Sequence, residues 1–245
     1  MTSTQQPLRP QTGILHLIPV GLSDAPINVW QPEALKQSLA PLTTFIVENA
    51  KSARAFLKQT GINTPIQEIK LHVLKRDTKV ADIDNWLSPL KNGVDIGLLS
   101  EAGCPAVADP GAQVVARAHQ KNLGVKPWTG PSSILLALMA SGLDGQRFAF
   151  HGYAPIDAAA RATTLKNWEA DSRRHQQTQI LIETPYRNRA MFDTLLEVLN
   201  PNTRLCLACN LTGDNEFITT RTVANWKQVT QPDLHKQPCI FLFLA

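Results

Sequence analysis

Turns that combine glycine, proline and polar residues follow several short apolar runs of this sequence. Turns of this kind are typical of the carboxyl ends of parallel strands, where open α/β sheets bind their ligands. We therefore treat them as candidate binding segments. They are Pro19-Val20-Gly21, Glu48-Asn49-Ala50-Lys51, Ser100–Gly111 and Gly130-Pro131-Ser132-Ser133.

The longest of these turns is Ser100–Gly111. Gly103 would let a ligand approach the main chain, Pro105 would stiffen the turn, and Asp109-Pro110 would begin the next helix. The same residue types also suit an ordinary loop between a strand and a helix. The residues alone leave both interpretations open.

Two predicted helix starts carry groups that suit an anion. Ser132 and Ser133 begin an apolar helix, where free N–H groups, the positive end of the helix dipole and two hydroxyls meet. Arg187 and Arg189 lie near the start of another helix and could reach an anionic substrate. A plain N-cap and solvated surface charges are the respective alternatives.

Other common sites are missing from the sequence or disfavoured by it. No G-x-G, G-x-x-x-x-G-K-[ST], H-E-x-x-H or G-x-S-x-G pattern occurs. Cys206 and Cys209 lie in a predicted strand, where an odd separation sends side chains to opposite faces, and His16 and His72 also fall inside strands. We therefore expect no metal site and structural roles for these histidines.

Composition indicates a soluble protein with a substantial core. The chain has 245 residues, 43% of them hydrophobic, and a formal net charge of +4. No apolar run reaches the roughly 18 residues of a membrane span, and the polar leader Met1–Gly13 lacks the apolar stretch of a secretory signal. Four cysteines without an export signal favour reduced thiols. We expect a cytoplasmic protein with a flexible leader and no membrane partner.

The pattern of elements predicts an α/β fold with two domains. Strand-length apolar runs alternate with amphipathic segments over residues 14–129, which predicts a parallel sheet with helices on its faces. Residues 130–245 end in three strands with little helix between them, which predicts a mixed sheet. We expect an N-terminal domain of residues 14–129 and a C-terminal domain of residues 130–245.

These turns, in this order, resemble the tetrapyrrole methylase superfamily of S-adenosylmethionine-dependent methyltransferases. Within it, the chain is most similar to the branch that methylates a ribose 2′-hydroxyl of small-subunit ribosomal RNA, and the match extends from Ile14 to Gln228. The motifs that carry the resemblance are Leu99-Ser-Glu-Ala-Gly-Cys-Pro-Ala-Val-Ala-Asp-Pro-Gly111, Gly130-Pro-Ser-Ser133 with Ala140-Ser-Gly-Leu143, Arg147-Phe-Ala-Phe-His-Gly-Tyr-Ala-Pro155, and Glu183-Thr-Pro-Tyr-Arg187.

The resemblance implies two α/β domains with S-adenosylmethionine in the cleft between them, and commonly a homodimer. It implies an RNA substrate, with Glu48 as the candidate base for a ribose hydroxyl; Glu48 could equally be a helix N-terminal charge partner. Lys51, Arg187 and Arg189 are the candidate substrate-binding residues. The cofactor-binding residues that it implies are Ser100, Glu101, Ala102, Gly103, Cys104, Ser132, Ser133, Gly152 and Tyr153.

The sequence departs from this branch at segments that bear on the substrate. The second strand typically ends Glu-Asp-Thr-Arg but here ends Glu48-Asn49-Ala50-Lys51, and a later Arg-Glu-Leu-Thr-Lys is replaced by Cys209-Asn210-Leu211-Thr212-Gly213. The chain stops at Ala245 just after a predicted strand, so we expect it to lack the branch's small C-terminal extension. A methylase of a tetrapyrrole or other small metabolite, and a catalytically silent S-adenosylmethionine-binding protein, are the alternatives.

Overall fold

The computed structural model describes residues 12–245, so most of the predicted leader lies outside the described residues. The chain forms two compact units. Of the described residues, the first contains residues 12–21 together with Pro26–Pro131, and the second contains Leu22–Ala25 and Ser132–Ala245. Within residues 12–245, no helix combines the length and apolarity needed to cross a membrane.

The first unit is built on a five-stranded parallel sheet with the strand order β3-β2-β4-β1-β5. The central strands are almost completely buried, as expected for a parallel sheet covered by helices on both faces. The strands are β1 (Ile14–Ile18), β2 (Thr44–Val47), β3 (Lys70–Val73), β4 (Ile96–Leu99) and β5 (Gly124–Pro127).

Helices cover both faces of this sheet. Two hydrophobic clusters pack against it, one around Leu15, Ile46 and Leu98 and the other around Ile18, Phe45 and Leu99. The helices are α1 (Ile27–Trp30), α2 (Glu33–Leu39), α3 (Ala50–Leu57), α4 (Val80–Leu87) and α5 (Gly111–Gln120), with a 3-10 turn at Ser88–Asn92.

The second unit contains a mixed five-stranded sheet with the order β6-β7-β10-β8-β9. Strands β6 and β7 are parallel, and every other neighbouring pair is antiparallel. The strands are β6 (Phe148–Tyr153), β7 (Thr178–Ile182), β8 (Arg204–Cys209), β9 (Phe217–Thr222) and β10 (Cys239–Leu244), and the helices are α6 (Ser133–Ser141), α7 (Ala158–His175), α8 (Asn188–Val198) and α9 (Val223–Trp226).

The α/β fold class, the parallel first sheet and the mixed second sheet are confirmed. The two cysteines of the C-x-x-C pattern lie in β8 and belong to different hydrophobic clusters on opposite sheet faces, Cys206 in one and Cys209 in the other. Cys209 instead lies opposite Cys239 of β10, with 2.6 Å between their Sγ atoms. The sequence pattern did not predict this pairing.

We predict that Gly97→Ala destabilises the first unit. A Cβ at Gly97, in the central strand β4, would overlap the ring of Phe45 and the side chain of Ile18. Overpacking of this kind costs about 1 to 3 kcal/mol. Gly145→Ala is the matched control, because nothing lies within 4 Å of the Cβ that it would add. Urea unfolding should show a lower midpoint for Gly97→Ala alone, and equal midpoints for the two variants would contradict the packing described.

Candidate active site

Three loops of the first unit leave neighbouring parallel strands at the same edge of the sheet. Val73, Val47 and Leu99 lie side by side in register at the ends of β3, β2 and β4. Adjacent strands are about 4.8 Å apart, so the three loops begin within about 10 Å of one another. The sheet therefore brings together the polar residues that follow each strand. The sequence predicted this for the turns after β2 and β4 but not for the turn after β3.

Hydrogen bonds to its main-chain groups hold the loop Ser100–Gly111 in shape. Gly103 and Val20 form a two-bond antiparallel bridge, in which each N–H donates to the other's carbonyl oxygen at 2.9 Å. The Ser100 hydroxyl is within hydrogen-bonding distance of the carbonyl oxygens of Ala102 (3.2 Å) and Gly103 (3.0 Å). Gly103 has φ +73°, a left-handed conformation that glycine adopts at no steric cost. Gly103 thus fixes the turn, while Glu101 and Ala102 beside it are exposed.

Asp109 closes the same loop from its far end. One carboxylate oxygen, Oδ1, accepts hydrogen bonds from the N–H groups of Ala106 (2.8 Å) and Gly111 (2.6 Å). Burial raises the pKa of Asp109, and these two hydrogen bonds oppose that rise. The sequence indicated only that Asp109 begins the next helix, because a side chain that bonds back to its own loop leaves no distinctive pattern.

Two alanines of this loop have strained backbones. Ala106 has φ +68° and Ala108 has φ +59°. A left-handed conformation costs an L-residue other than glycine roughly 1 to 2 kcal/mol. Strain of this size concentrates at functional sites, where the surrounding structure enforces it.

Glu48 lies at the end of β2 and touches the loop that follows β4. Its Oε1 accepts a hydrogen bond of 3.0 Å from the N–H of Glu101. Burial raises the pKa of Glu48, the hydrogen bond from Glu101 opposes this, and the negative charges of Asp109 and Glu101 raise the pKa further. A carboxylate with a raised pKa is a better proton acceptor than an ordinary surface glutamate.

Lys51 lies in the first turn of α3, three residues after Glu48. The helix begins at Asn49, whose Oδ1 accepts hydrogen bonds from the N–H groups of Lys51 and Ser52. The Lys51 side chain is exposed and takes part in no ion pair formed by residues 12–245. Asn49 therefore caps the helix and Lys51 remains available to an anion.

Cys104 and Pro131 are in contact within the first unit. The Cys104 thiol donates to the carbonyl oxygen of Pro131 at 3.5 Å, and burial raises the pKa of this thiol. Gly130, just before Pro131, lies so close to Pro19 that a Cβ would overlap the proline ring. These contacts join the turn after β1, the Ser100–Gly111 loop and the turn after β5.

In the second unit, Ser132 and Ser133 begin helix α6. The Ser132 side chain accepts a hydrogen bond from the N–H of Leu135, so the plain N-cap interpretation holds for this residue. The N–H groups of Ser133 and Ile134 have no acceptor within the helix. The Ser133 hydroxyl forms no hydrogen bond with another residue of the described part of the chain. These groups can bind a carboxylate.

Gly152 and Tyr153 lie at the carboxyl end of β6, next to the end of β7. Gly152 has φ +69°, nothing lies within 4 Å of a Cβ added there, and the Tyr153 side chain is exposed. The hydrogen bond to Glu183 raises the pKa of the Arg187 guanidinium, and the Tyr153 phenol adds a smaller rise. The second unit thus places an aromatic side chain and a cation at one edge of its sheet.

Arg187 and Arg189 both have partners inside the second unit. Arg187 donates two hydrogen bonds, of 2.9 and 2.6 Å, to the buried carboxylate of Glu183. Arg189 forms an ion pair of 3.0 Å with Asp193 and donates to Gln231. Both arginines are therefore held in position by partners within the protein. The sequence alone did not show whether they would be solvated surface charges.

The loop that follows β8 begins with the neutral residues Asn210–Gly213, and hydrogen bonds join it to other segments of the second unit. Asn210 and Thr212 have φ +52° and +69°, and the side-chain amide of Asn210 donates to Gln237 at 2.9 Å. The Ser23 hydroxyl donates to the carbonyl oxygen of Thr212 at 3.0 Å. Neither contact was predicted, because the partners are far apart in the sequence, by 27 positions for Asn210 and Gln237 and by 189 for Ser23 and Thr212.

A family model described as Tetrapyrrole (Corrin/Porphyrin) Methylases matches residues 36–226, a range that includes Glu48, the Ser100–Gly111 loop and the start of α6. The chain belongs to this family. Membership confirms the predicted methyltransferase activity and S-adenosylmethionine as its cofactor.

The individual proteins to which this chain is similar are also methyltransferases by name. The Ribosomal RNA small subunit methyltransferase I of Haemophilus influenzae is 27% identical over 220 residues, which cover 89% of this chain and 72% of that protein. The Pseudomonas aeruginosa protein of the same name is 28% identical over 213 residues, covering 86% of this chain and 72% of that protein. The methyltransferase CobJ has a similar fold, with a TM-score of 0.63, 14% identity, and coverage of 96% of this chain and 95% of that one.

We predict that Ala106→Gly stabilises the first unit. Glycine removes the left-handed strain at Ala106, and the gain should exceed the added entropy of the unfolded chain by up to about 1 kcal/mol. Ala102→Gly in the same loop is the control; it lies outside the left-handed region and should lose about 0.5 to 1 kcal/mol. Urea unfolding compares the two, and shifts of the same sign would contradict the strain at Ala106.

Proposed function

We propose that this protein transfers a methyl group from S-adenosylmethionine to a ribose 2′-hydroxyl in RNA of the small ribosomal subunit or in a related RNA. The observation that carries the proposal is the similarity to relatives named Ribosomal RNA small subunit methyltransferase I over nearly the whole chain. The likeness to CobJ, at 14% identity, supports the fold alone and gives no preference for a tetrapyrrole.

The proposed cofactor-binding residues lie in both units. In the first unit, Ser100, Glu101, Ala102, Gly103 and Cys104 would line the methionine and ribose parts. When bound, S-adenosylmethionine supplies a methyl group on a sulfonium, with a neutral thioether as leaving group.

In the second unit, Ser132 and Ser133 would hold the amino-acid carboxylate, and Gly152 and Tyr153 would approach the cofactor. The start of α6 supports this proposal, because the N–H groups of Ser133 and Ile134 and the Ser133 hydroxyl have no hydrogen-bond partner among the residues that the structure describes.

The residues of this chain must position the attacking hydroxyl and take its proton. The oxygen–carbon bond forms as the sulfur–carbon bond breaks, which requires the two reacting atoms in line at about 3 to 3.5 Å. We assign the proton of the ribose hydroxyl to the Glu48 carboxylate. Its Oε1 is held by the N–H of Glu101, and Oε2 accepts no hydrogen bond from any described residue.

Lys51 is the proposed substrate-binding residue of the first unit, because its ammonium is exposed at the edge where Glu48 lies. Arg187 and Arg189 are the corresponding residues of the second unit; Arg187 offers its remaining N–H groups while Glu183 fixes its orientation. A cytoplasmic location and a homodimer complete the proposal, and light scattering of the purified protein tests the second of these.

Purified protein with labelled S-adenosylmethionine tests the substrate. We expect label in the RNA of small ribosomal subunits from cells that lack the enzyme, located at a 2′-O-methylated nucleotide after nuclease digestion. Label in a porphyrin precursor but not in RNA would favour the small-molecule alternative. Cofactor binding without transfer to either substrate or to total cellular RNA would favour the silent binder.

We predict that Gly103→Ala weakens binding of S-adenosylmethionine by about 10-fold or more. The added methyl group forces an L-residue into φ +73° in the middle of the proposed cofactor loop. Gly142→Ala is the matched control, because Gly142 has φ +66° at the end of α6 and nothing lies within 4 Å of its new Cβ. Calorimetric titration should separate the two variants, and equal affinities would remove the loop from the proposed site.

We predict that Glu48→Gln lowers the methylation rate by about 100-fold, because glutamine keeps the hydrogen bond from Glu101 but cannot accept a proton. The wild-type rate should rise with pH through the raised pKa of Glu48, above the ordinary value of 4.5, and this acidic limb should vanish in the variant.

The stability of the folded protein should decrease over the pH range in which the methylation rate increases. Because the pKa of Glu48 is raised in the folded protein, ionisation of this carboxyl destabilises the fold as pH increases from the unfolded pKa to the folded pKa. Glu48→Gln removes this cost, so at neutral pH its melting temperature should be equal to or above that of the wild type. A lower melting temperature together with an unchanged pH profile would show a structural role only.

A further inference from the structure

A basic turn, Lys75–Lys79, lies at the edge of the first sheet where the proposed active site is found. It follows β3, whose last residue, Val73, is in register with Val47 of β2. The next residue, Leu74, donates its N–H to the carbonyl oxygen of Val47 at 2.8 Å. The basic turn therefore begins one strand from Glu48 and two strands, about 10 Å, from Ser100.

The backbone of the basic turn is ordered by several hydrogen bonds. The N–H of Lys75 donates to the Thr78 hydroxyl at 2.7 Å, and the N–H of Thr78 donates to the Lys75 carbonyl oxygen at 3.1 Å. The same carbonyl oxygen accepts a bond of 3.1 Å from the side-chain amide of Gln113, on the helix that follows the Ser100–Gly111 loop. This hydrogen bond joins the turn to α5, the helix that directly follows the proposed cofactor loop.

The three cations of the basic turn have no ion-pair partner among residues 12–245. The side chains of Lys75, Arg76 and Lys79 are exposed, and none takes part in an ion pair within residues 12–245. Asp77, the one acidic residue of the turn, and Asp82, one turn into α4, also form no ion pair in that part of the chain. The net charge of the turn is therefore positive and open to solvent.

Folding does not account for these charges. Lys79 is the N-cap of α4 and makes no side-chain cap hydrogen bond. A cation at this end of a helix interacts unfavourably with the helix dipole, so a neutral residue there would serve α4 better. By contrast, Arg117 on α5 and Lys121, the C-cap of that helix, both form ion pairs with Asp84.

We propose that Lys75, Arg76 and Lys79, together with Lys51, bind the phosphate backbone of the RNA substrate next to the nucleotide that is methylated. This inference rests on the proposed function and extends it by naming the surface that the RNA follows. Three exposed cations on an ordered turn suit a chain of phosphates, which contributes affinity and register without reading the bases. The turn begins one strand from Glu48, where the proposed function requires the ribose.

The test compares two variants that remove the same charge. The first is Lys75→Gln/Arg76→Gln/Lys79→Gln. The control is Lys166→Gln/Arg173→Gln/Arg174→Gln, which neutralises three exposed cations on α7 of the second unit. Each phosphate contact contributes about 0.7 to 0.9 to the slope of log affinity against log salt. We expect the first variant to reduce this slope by about 2 and to weaken RNA binding by about 10-fold or more, while the control stays close to the wild type.

Calorimetry with S-adenosylmethionine and methylation of RNA complete the experiment. Unchanged cofactor affinity in both variants, with a raised KM for RNA only in the first, would support the basic turn as the RNA surface. Equal losses in the two variants, or an unchanged slope in the first, would overturn this inference while leaving the proposed function intact. A wild-type protein that binds the cofactor but neither binds nor methylates RNA would overturn the proposed function.

A poly-glutamate peptide is the second probe, because an acidic protein segment is the other polyanion that such a surface could bind. RNA should bind the wild type with the steeper salt dependence and compete the peptide away. If the peptide binds as tightly as RNA, with the same loss in the basic-turn variant, the assignment to RNA is wrong.

Discussion

The in-register alignment of β3, β2 and β4 is the constraint on which the proposed chemistry depends. Hydrogen bonding fixes Val73, Val47 and Leu99 in one row, and the residues that follow them must therefore emerge together. Glu48 can meet the N–H of Glu101 only because their strands end at the same level. A shift of one residue in β2 would turn Glu48 to the other face of the sheet.

The main chain of the Ser100–Gly111 loop is largely satisfied by the protein itself. Val20 occupies both polar groups of Gly103, and Asp109 occupies the N–H groups of Ala106 and Gly111. Such a loop is rigid before any ligand arrives, so the ordering cost of binding is small. The strain at Ala106 and Ala108 is maintained by the same contacts.

The sequence predicted those parts of the structure that follow from local periodicity. Apolar runs alternating with amphipathic segments predicted the parallel first sheet, and three final strands with little helix between them predicted the mixed second sheet. The resemblance to a methylase family predicted the cofactor and suggested the proposed site residues. Contacts between distant residues, such as Ser23 with Thr212, Asp109 with its own loop, and Cys209 with Cys239, were not predictable because no local pattern specifies them.

The segment Leu22–Ala25 belongs to the second unit although it lies near the beginning of the chain. During synthesis the ribosome must add almost two hundred further residues before Ser23 can meet Thr212. The second unit therefore completes its folding only when nearly all of the protein has been synthesised. Until then, the segment Leu22–Ala25 lacks the residues with which it packs. A fragment of residues 132–245 would lack Leu22–Ala25. The second unit should therefore be less stable in that fragment than in the intact protein.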